Sequence, residues 1–554
     1  MLRANVELAA ARALGEQDAS PHSLTSGCFD RRYWAWKLVD FPEATFQRLV
    51  LSLAQLYRDP QSRFHAQPEV LAAVRSGLAC AARLQHANGS FDQAFPFEQS
   101  YGATAFLVYP LIEAARLVEE HLGAEERAVA DRMTRRGADF LCAHEETHGE
   151  ISNHLAGAAL SLVAAADRFG EARYEAAAGR LIDGLIAHQS PEGWFPEYGG
   201  ADPGYQTLCL DYLAAVHERR PSERLSTALD RSLEFLKWFV HPDGSVGGLY
   251  GSRRTSLVYL GGVSRLAANS GTAAGILDAA AGAMGRGDLA GPATMDAGNL
   301  APMLTSTMTA LISRPPIKGG PTETSIEKPA GPPRRSPDEG GLPCATAGAR
   351  ADFPLAGLYV RSGAGFYAVC GAANGGTLTV FSRTTKQLLL DDGGYVADTG
   401  EGYRLTTQTA GVASVTSDAI EIVVPFTRMP AAVPTPGRFL ILRLLNLTVM
   451  RSIAVGNWVK GRLVAMLMQS GAESGLRLTR RVTWDDQGLQ VHDRIENPRR
   501  QKLAALTGGR PFSSIHMASA GYFHGARLGT ARSPVVIDLQ RLDQDRVIDV
   551  TTRV

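Results

Sequence analysis

The chain is 554 residues long, 45% apolar and 20% charged, and its 56 basic residues balance 56 acidic ones. That length exceeds one ordinary core and predicts two large domains of a soluble globular type. A formal charge of zero argues against a surface built around nucleic acid, yet leaves room for an anionic sugar held by a local cluster of Arg and His.

The six cysteines, Cys28, Cys80, Cys142, Cys209, Cys344 and Cys370, form no CxxC pair and no metal-ligand spacing, and read as reduced structural thiols. The start, MLRANVELAAARALGEQDAS, lacks a basic segment followed by an apolar run. No later run has the length of a membrane span. The expectation is a cytoplasmic location, with export left open, and no membrane partner.

In chain order, apolar residues three and four apart predict helices over 46–57, 69–85, 103–120, 125–143, 154–169, 172–188, 206–216, 222–240 and 256–267. The helices pair, and four related loops join them: QHANGSFDQAFPFEQSY, AHEETHGEISNH, HQSPEGWFPEYGGADPGYQ and HPDGSVGGLYGSRR. Their glycines, Gly89, Gly149, Gly193 and Gly244, lie about one helical hairpin apart. Hairpins packed side by side in a ring make an α/α toroid over residues 1–313, with all four loops at one mouth. Residues 314–352 are rich in Pro and Gly and read as a linker or exposed loop. From 353 to 554 short runs with Gly, Asn and Asp turns predict strands at 358–360, 366–369, 377–381, 420–424, 439–442, 463–467, 482–484, 491–495 and 535–539. The fold class is therefore an N-terminal (α/α) toroid followed by a C-terminal antiparallel β-sandwich.

The starts of the inner helices offer Tyr101, Asn153 with His154, Tyr205 with Gln206, and Arg253 with Arg254. Gln99, Trp194 and, from the second domain, His516 complete the candidate binding set. Helix N-termini add a positive dipole end to that mouth, which favours a bound anion. Such a set suits proton abstraction beside a sugar carboxylate. An amide, imidazole or guanidinium neutralises the carboxylate and takes up the developing charge. A Tyr then removes the C5 proton and protonates the leaving oxygen, provided that neighbouring cations favour the phenolate.

The Asn153-His154 pair opening one helix, with Tyr205 opening a later one, resembles the heparinase II/III-like polysaccharide lyases. The second-domain stretch FPLAGLYVRS…GFYAVCGAANGGTLTVF…LLLDDGGYVA is also similar to that family. The resemblance implies a toroid plus sandwich, β-elimination on a uronate-containing polysaccharide such as an exopolysaccharide, and catalytic roles for Tyr205, His154 and Asn153. Two positions depart from the family: Asn374-Gly375-Gly376 stands where many members carry a His, and Gln206 where some carry another. No cofactor is called for, with a divalent metal in the sandwich left open.

Each residue also has a plainer use. Asn153 suits a helix N-cap, His154 a core histidine and Tyr205 a barrel-wall aromatic. Arg253 and Arg254 suit solvated charges, and Tyr101 and Gln99 suit the wall. Three other functions compete with elimination: C5 epimerisation, a silent acidic-polysaccharide-binding or assembly protein, and glycoside hydrolysis by a carboxylate pair among Asp92, Glu98, Glu197, Asp202 and Asp211.

Overall fold

The structure is a computed structural model that describes residues 1–147, 149, 151–313, 341–429, 435–468, 471–486, 488–515, 519–530 and 532–554. The first part is helical: α1 (Leu2–Glu16), α2 (Arg31–Trp34), α3 (Leu49–Arg58), α4 (Pro68–Leu84), α5 (Tyr101–Leu117), α6 (Ala124–Ala143) and α7 (Ser152–Phe169). It continues with α8 (Ala172–His188), α9 (Pro203–Arg219), α10 (Glu223–Leu236), α11 (Leu260–Leu266), α12 (Gly271–Arg286) and α13 (Ala297–Ser313). Helices α3, α5, α7, α9, α11 and α13 pack each on the next, and α13 packs back on α3, closing an inner ring. Helices α4, α6, α8, α10, α12 and α1 form the outer layer. The inner helices are small-residue stretches buried nearly all round, as in Ala156–Ala165 of α7. Outer helices such as α10 bury one stripe, Leu225, Leu229, Leu233 and Leu236.

The loop repeat has a physical basis. At the end of α4, Gln85 donates from Nε2 to the carbonyls of Gly89 (2.9 Å) and of Met133 in α6 (2.8 Å). At the end of α8, Gln189 repeats this with Gly193 (2.9 Å) and Ala228 of α10 (2.8 Å). Arg136 and Arg231 answer from those outer helices, donating to loop carbonyls at His86 and Ser190. Gly89 and Gly193 have positive φ, and a Cβ on either would collide with the Arg136 or Arg231 carbonyl. Gly149 stands in open space, so the second loop is released from this packing.

The second part is two antiparallel sheets. The first runs β1 (Arg350–Phe353), β2 (Leu358–Ser362), β3 (Phe366–Gly371), β4 (Thr377–Ser382) and β5 (Leu388–Asp392) in chain order. The second contains β6 (Tyr395–Asp398), β7 (Arg404–Thr406), β8 (Val412–Val415), β9 (Ala419–Arg428), β10 (Glu473–Trp484), β11 (Leu489–Glu496), β12 (Ala505–Gly508), β13 (Val535–Val536) and β14 (Val547–Arg553). Its order is β13-β12-β6-β7-β9-β10-β11-β14, with β8 paired to β9. Phe366, Leu378 and Val380 of the first sheet meet Ile420, Ile422, Val482 and Val491 of the second. The other face of the first sheet, with Leu358, Val360, Tyr367 and Val369, packs on Trp194, Phe235, Phe239 and Tyr250 of the toroid. That sheet is thus covered on both sides, and β2, β3 and β4 are buried at every position.

Several expectations change. The runs 439–442 and 463–467, read as strands, lie in helices α14 (Pro436–Leu447) and α15 (Ile453–Met468), inserted between β9 and β10. Short apolar runs do not distinguish the two states by themselves. The run 535–539 is a two-residue strand leading into α16 (Leu539–Asp545). Sheet pairing begins at Arg350, inside the stretch read as linker, because Arg350–Phe353 pairs with Leu358–Arg361. Residues 314–340 lie outside the described residues.

The packing of the loop glycines generates a test. Gly193→Ala combines positive-φ strain with a backbone collision and should cost about 2–5 kcal/mol. Gly149→Ala carries the strain alone and should cost about 1 kcal/mol. Urea unfolding of both variants checks this, and equal losses would sink the packing account.

Candidate active site

One cleft of about 620 Å³ opens at the toroid mouth and takes residues from the start of every inner helix. Arg48 comes from the turn before α3, Gln93 and Ala94 from the loop before α5, and Asn153 and His154 from α7. Tyr205 comes from α9, Arg253 and Tyr259 from the segment before α11, and Asp296 and Asn299 from the start of α13. Four sequence candidates, Asn153, His154, Tyr205 and Arg253, therefore share one cavity.

They are also linked by contacts. The carboxylate of Glu197, 1% exposed, accepts from the Asn153 backbone N–H (3.0 Å) and Nδ2 (2.7 Å). It accepts too from Nη1 of Arg253 (3.3 Å). The Arg253 guanidinium lies over the Tyr205 ring, 3.8 Å from its centroid, and also faces Tyr198 at 4.8 Å. Burial by itself lowers the Arg253 pKa; Tyr205, Glu197, Tyr198 and Asp202 outweigh it and raise the value, so the charge is retained. The Tyr205 hydroxyl meets Ser519 Oγ of the second domain at 2.8 Å. His154 Nδ1 sits 2.6 Å from Glu146 Oε2, and its ring stands edge-on to Phe106. A carboxylate at Nδ1 holds a proton on that nitrogen and fixes the orientation of the ring.

Local chain geometry explains this placement. Asp202 caps α9, with Oδ1 accepting from Tyr205 N (2.9 Å), and so sets the first turn that carries the phenol. Its Oδ2 accepts from the backbone N–H of Arg253 (2.9 Å) and Thr255 (3.3 Å), pinning the arginine loop to the same helix end. From the far side Asn374 Nδ2 donates to the carbonyls of Tyr250 (2.8 Å) and Gly251 (2.9 Å). The position where the resembling family carries a His thus serves here as a clamp on the arginine loop.

Other candidates go elsewhere. Asn153 is not the cap of α7, whose N-cap is Ile151; one of its two Nδ2 hydrogens goes to Glu197. Arg253 and Arg254 are 6% and 3% exposed rather than solvated. Arg254 has φ +55° and turns from the cleft to the hydroxyls of Ser513 (3.2 Å) and Ser514 (3.0 Å), where burial lowers its pKa to about 10. Gln206 is buried against Phe195 N (3.0 Å) and the Ser232 hydroxyl. Trp194 belongs to the toroid–sheet core and donates to Glu192 (2.9 Å). Tyr101 is buried at the start of α5, and burial raises its pKa above the usual phenol range. Gln99 bonds the Arg451 carbonyl (2.9 Å) outside the cleft lining. His516 lies outside the described residues. Among the described residues no group of three His, Cys, Asp or Glu is set to hold a metal ion.

Sequence reading missed Glu146 as the partner of His154, Glu197 as the hub, and Arg48 in the cleft wall. Glu197 stood only in a pool of acids suited to hydrolysis. The one sequence signal was that the second loop, AHEETHGEISNH, lacks the Gln of the first and third loops and carries Glu145 and Glu146 instead.

Burial pushes the Asp202 carboxyl up to about 6, against the pull of the N–H donors of Tyr205, Thr255 and Arg253. A raised folded value stabilises below the ordinary carboxylate range, and that contribution is lost as pH rises through the folded value. Relative to Asp202→Asn, the wild type should lose on the order of 2 kcal/mol between about pH 4 and about pH 7. Urea unfolding of both proteins at the two pH values checks this, and a constant gap would refute it.

No family model matches the chain. An ent-copalyl diphosphate synthase of Streptomyces sp. (strain KO-3988) is 35% identical over 113 residues, which is 20% of this chain and 21% of that protein. The chain is thus matched to about a fifth of that relative's length. Among solved structures, the chondroitin AC lyase of Streptomyces coelicolor A3, in complex with chondroitin sulphate, matches 91% of this chain and 67% of its own. Its TM-score is 0.51 at 13% identity. A Paenibacillus xanthan lyase matches 91% of this chain and 46% of its own, with a TM-score of 0.50 at 13% identity. At such identity the likeness is one of fold. The chain has the fold of these polysaccharide lyases, an α/α toroid followed by antiparallel β-sheets.

Proposed function

We propose that the chain is a polysaccharide lyase that cleaves a uronate-containing polysaccharide or oligosaccharide by β-elimination. The observation that carries this reading is the contact chain Asn153–Glu197–Arg253–Tyr205, in which Asn153, Arg253 and Tyr205 line one cleft with His154 and Glu197 is buried behind them. The substrate carboxylate sits against Asn153, His154 and Arg253, whose hydrogen bonds and charge take up the negative charge that forms beside C5. Tyr205, as the phenolate, takes the C5 proton, and that electron pair becomes the C4–C5 double bond. The C4–O bond breaks with its pair on the leaving oxygen, which recovers the proton from Tyr205. Arg48 and Arg32 in the cleft wall suit the acid groups of neighbouring sugars.

Hydrolysis receives less support. It needs two carboxylates facing one bond. The acids lining the cleft are Glu43, tied to Arg32 and Thr45, and Asp296, tied to Tyr522 and Asn299. Glu197 is committed to Asn153 and Arg253.

The test is the rise in ultraviolet absorbance from an unsaturated uronate end, across a panel of uronate polymers. One polymer should respond, and Tyr205→Phe should lower the rate by at least ~100-fold while the fold is kept. Absence of a rise with every polymer would reject elimination. Exchange of the C5 proton without cleavage would transfer the same site to epimerisation.

A further inference from the structure

The helical insertion between β9 and β10 is built inside out. In α14 the one residue buried is Asn446, and Arg443 points to the protein, where it pairs with Asp40 (2.7 Å) and stacks near Phe41. The apolar side chains face outward instead: Leu440, Ile441 and Trp458 are 62%, 61% and 64% exposed, and Phe439, Leu444, Leu447 and Val449 are exposed beside them. A helix that only capped a domain would bury that stripe and expose Arg443 and Asn446. Between Glu421 and Glu473 the sequence holds no Asp or Glu, while Arg438, Arg443, Arg451, Lys460 and Arg462 punctuate the apolar run. Arg438, Arg451 and Arg462 are exposed on the hairpin.

We infer that this hairpin, Pro436–Met468, is a docking surface for an anionic phospholipid membrane. Outward Leu, Ile, Phe and Trp with interspersed Arg, and no acid, is the chemistry of a segment lying in a lipid interface. The alkyl and aromatic groups enter the headgroup–acyl boundary and the guanidinium groups of Arg438 and Arg462 meet lipid phosphates. Two other occupants fit less well. A second copy meeting this face about a two-fold axis would bring the cations Arg438 and Arg462 of one copy towards the same cations of the other, with no acid on the hairpin to offset them. The stretch 314–340 offers only Ile317 and Ile326 as large apolar side chains. Among the described residues no helix is long and apolar enough to cross a membrane, and the proposed surface lies on the bilayer. The expectation of no membrane partner was drawn from the lack of a spanning run, and an interfacial hairpin needs none.

The hairpin is fixed beside the cleft. Lys460 pairs with Glu98, Gln99 Nε2 donates to the Arg451 carbonyl (2.9 Å), and the Arg451 guanidinium stands 4.5 Å from the Phe97 ring centroid. Those partners belong to the loop that also lends Gln93 and Ala94 to the cavity. Docking therefore brings the toroid mouth close to the lipid surface.

The experiment is flotation of the full chain with vesicles of phosphatidylcholine alone and of phosphatidylcholine with phosphatidylglycerol. The chain should float with the anionic vesicles, be released by salt, and show a blue shift of fluorescence that Trp458→Phe removes. The exposed double variant Leu440→Glu/Ile441→Glu should keep its thermal melt and bind the anionic vesicles about 10-fold more weakly or worse. Failure of the wild type to float, or equal flotation of the double variant, would overturn the inference. So would self-association that the double variant abolishes in a chain that ignores vesicles.

Discussion

The pairing of Arg253 with Glu197 constrains most of the mouth. Both side chains are almost wholly removed from water, and a buried charge is tolerable only when its hydrogen bonds are met. Glu197 meets its need with the backbone and side chain of Asn153, which fixes how α7 enters the toroid. Arg253 is held by backbone as well, through Asp202, and Asp202 also sets the turn beneath Tyr205. One ion pair thereby ties the openings of three inner helices together. The cleft is a consequence of how those charges were satisfied.

The second domain contributes rigidity more than chemistry. Arg480, 1% exposed, is held by Asp493 and Asp392 and donates to the Gly376 carbonyl (2.6 Å). Gly376 closes the turn that presents Asn374 to the Tyr250 and Gly251 carbonyls. A buried ionic network in the outer sheet is thus relayed through one turn to the loop bearing Arg253. Ser519 reaches the Tyr205 hydroxyl from the same side.

Much of this was legible in the residues. Helical spacing gave the ring, and the recurring Gln-and-Gly loops gave its common mouth, because both rest on short-range rules. Asn153, His154, Tyr205 and Arg253 were legible because each stands at the beginning of an inner helix or in the loop before one. Their sequence neighbours misled. Gln206 follows Tyr205 but points about 100° away round the helix, into the wall. Arg254 follows Arg253, yet its positive φ sends it to the opposite side of the chain. Glu146 and Glu197 were out of reach, since their roles come from distant segments meeting. The strands expected at 439–442 and 463–467 failed because apolar runs of that length suit a helix equally well.

The strands β2, β3 and β4 of the five-stranded sheet have no face of their own to show to water. One side is filled by the outer sheet and the other by Phe235, Phe239 and Tyr250 of the ring. The Pro- and Gly-rich stretch looks like a natural place to divide the chain, but the boundary is only one of sequence. A ring severed there would present an aromatic patch, and a released sandwich would present the apolar backs of β2 and β3. Each half thus supplies the cover that the other's apolar surface needs, and neither has a finished exterior alone.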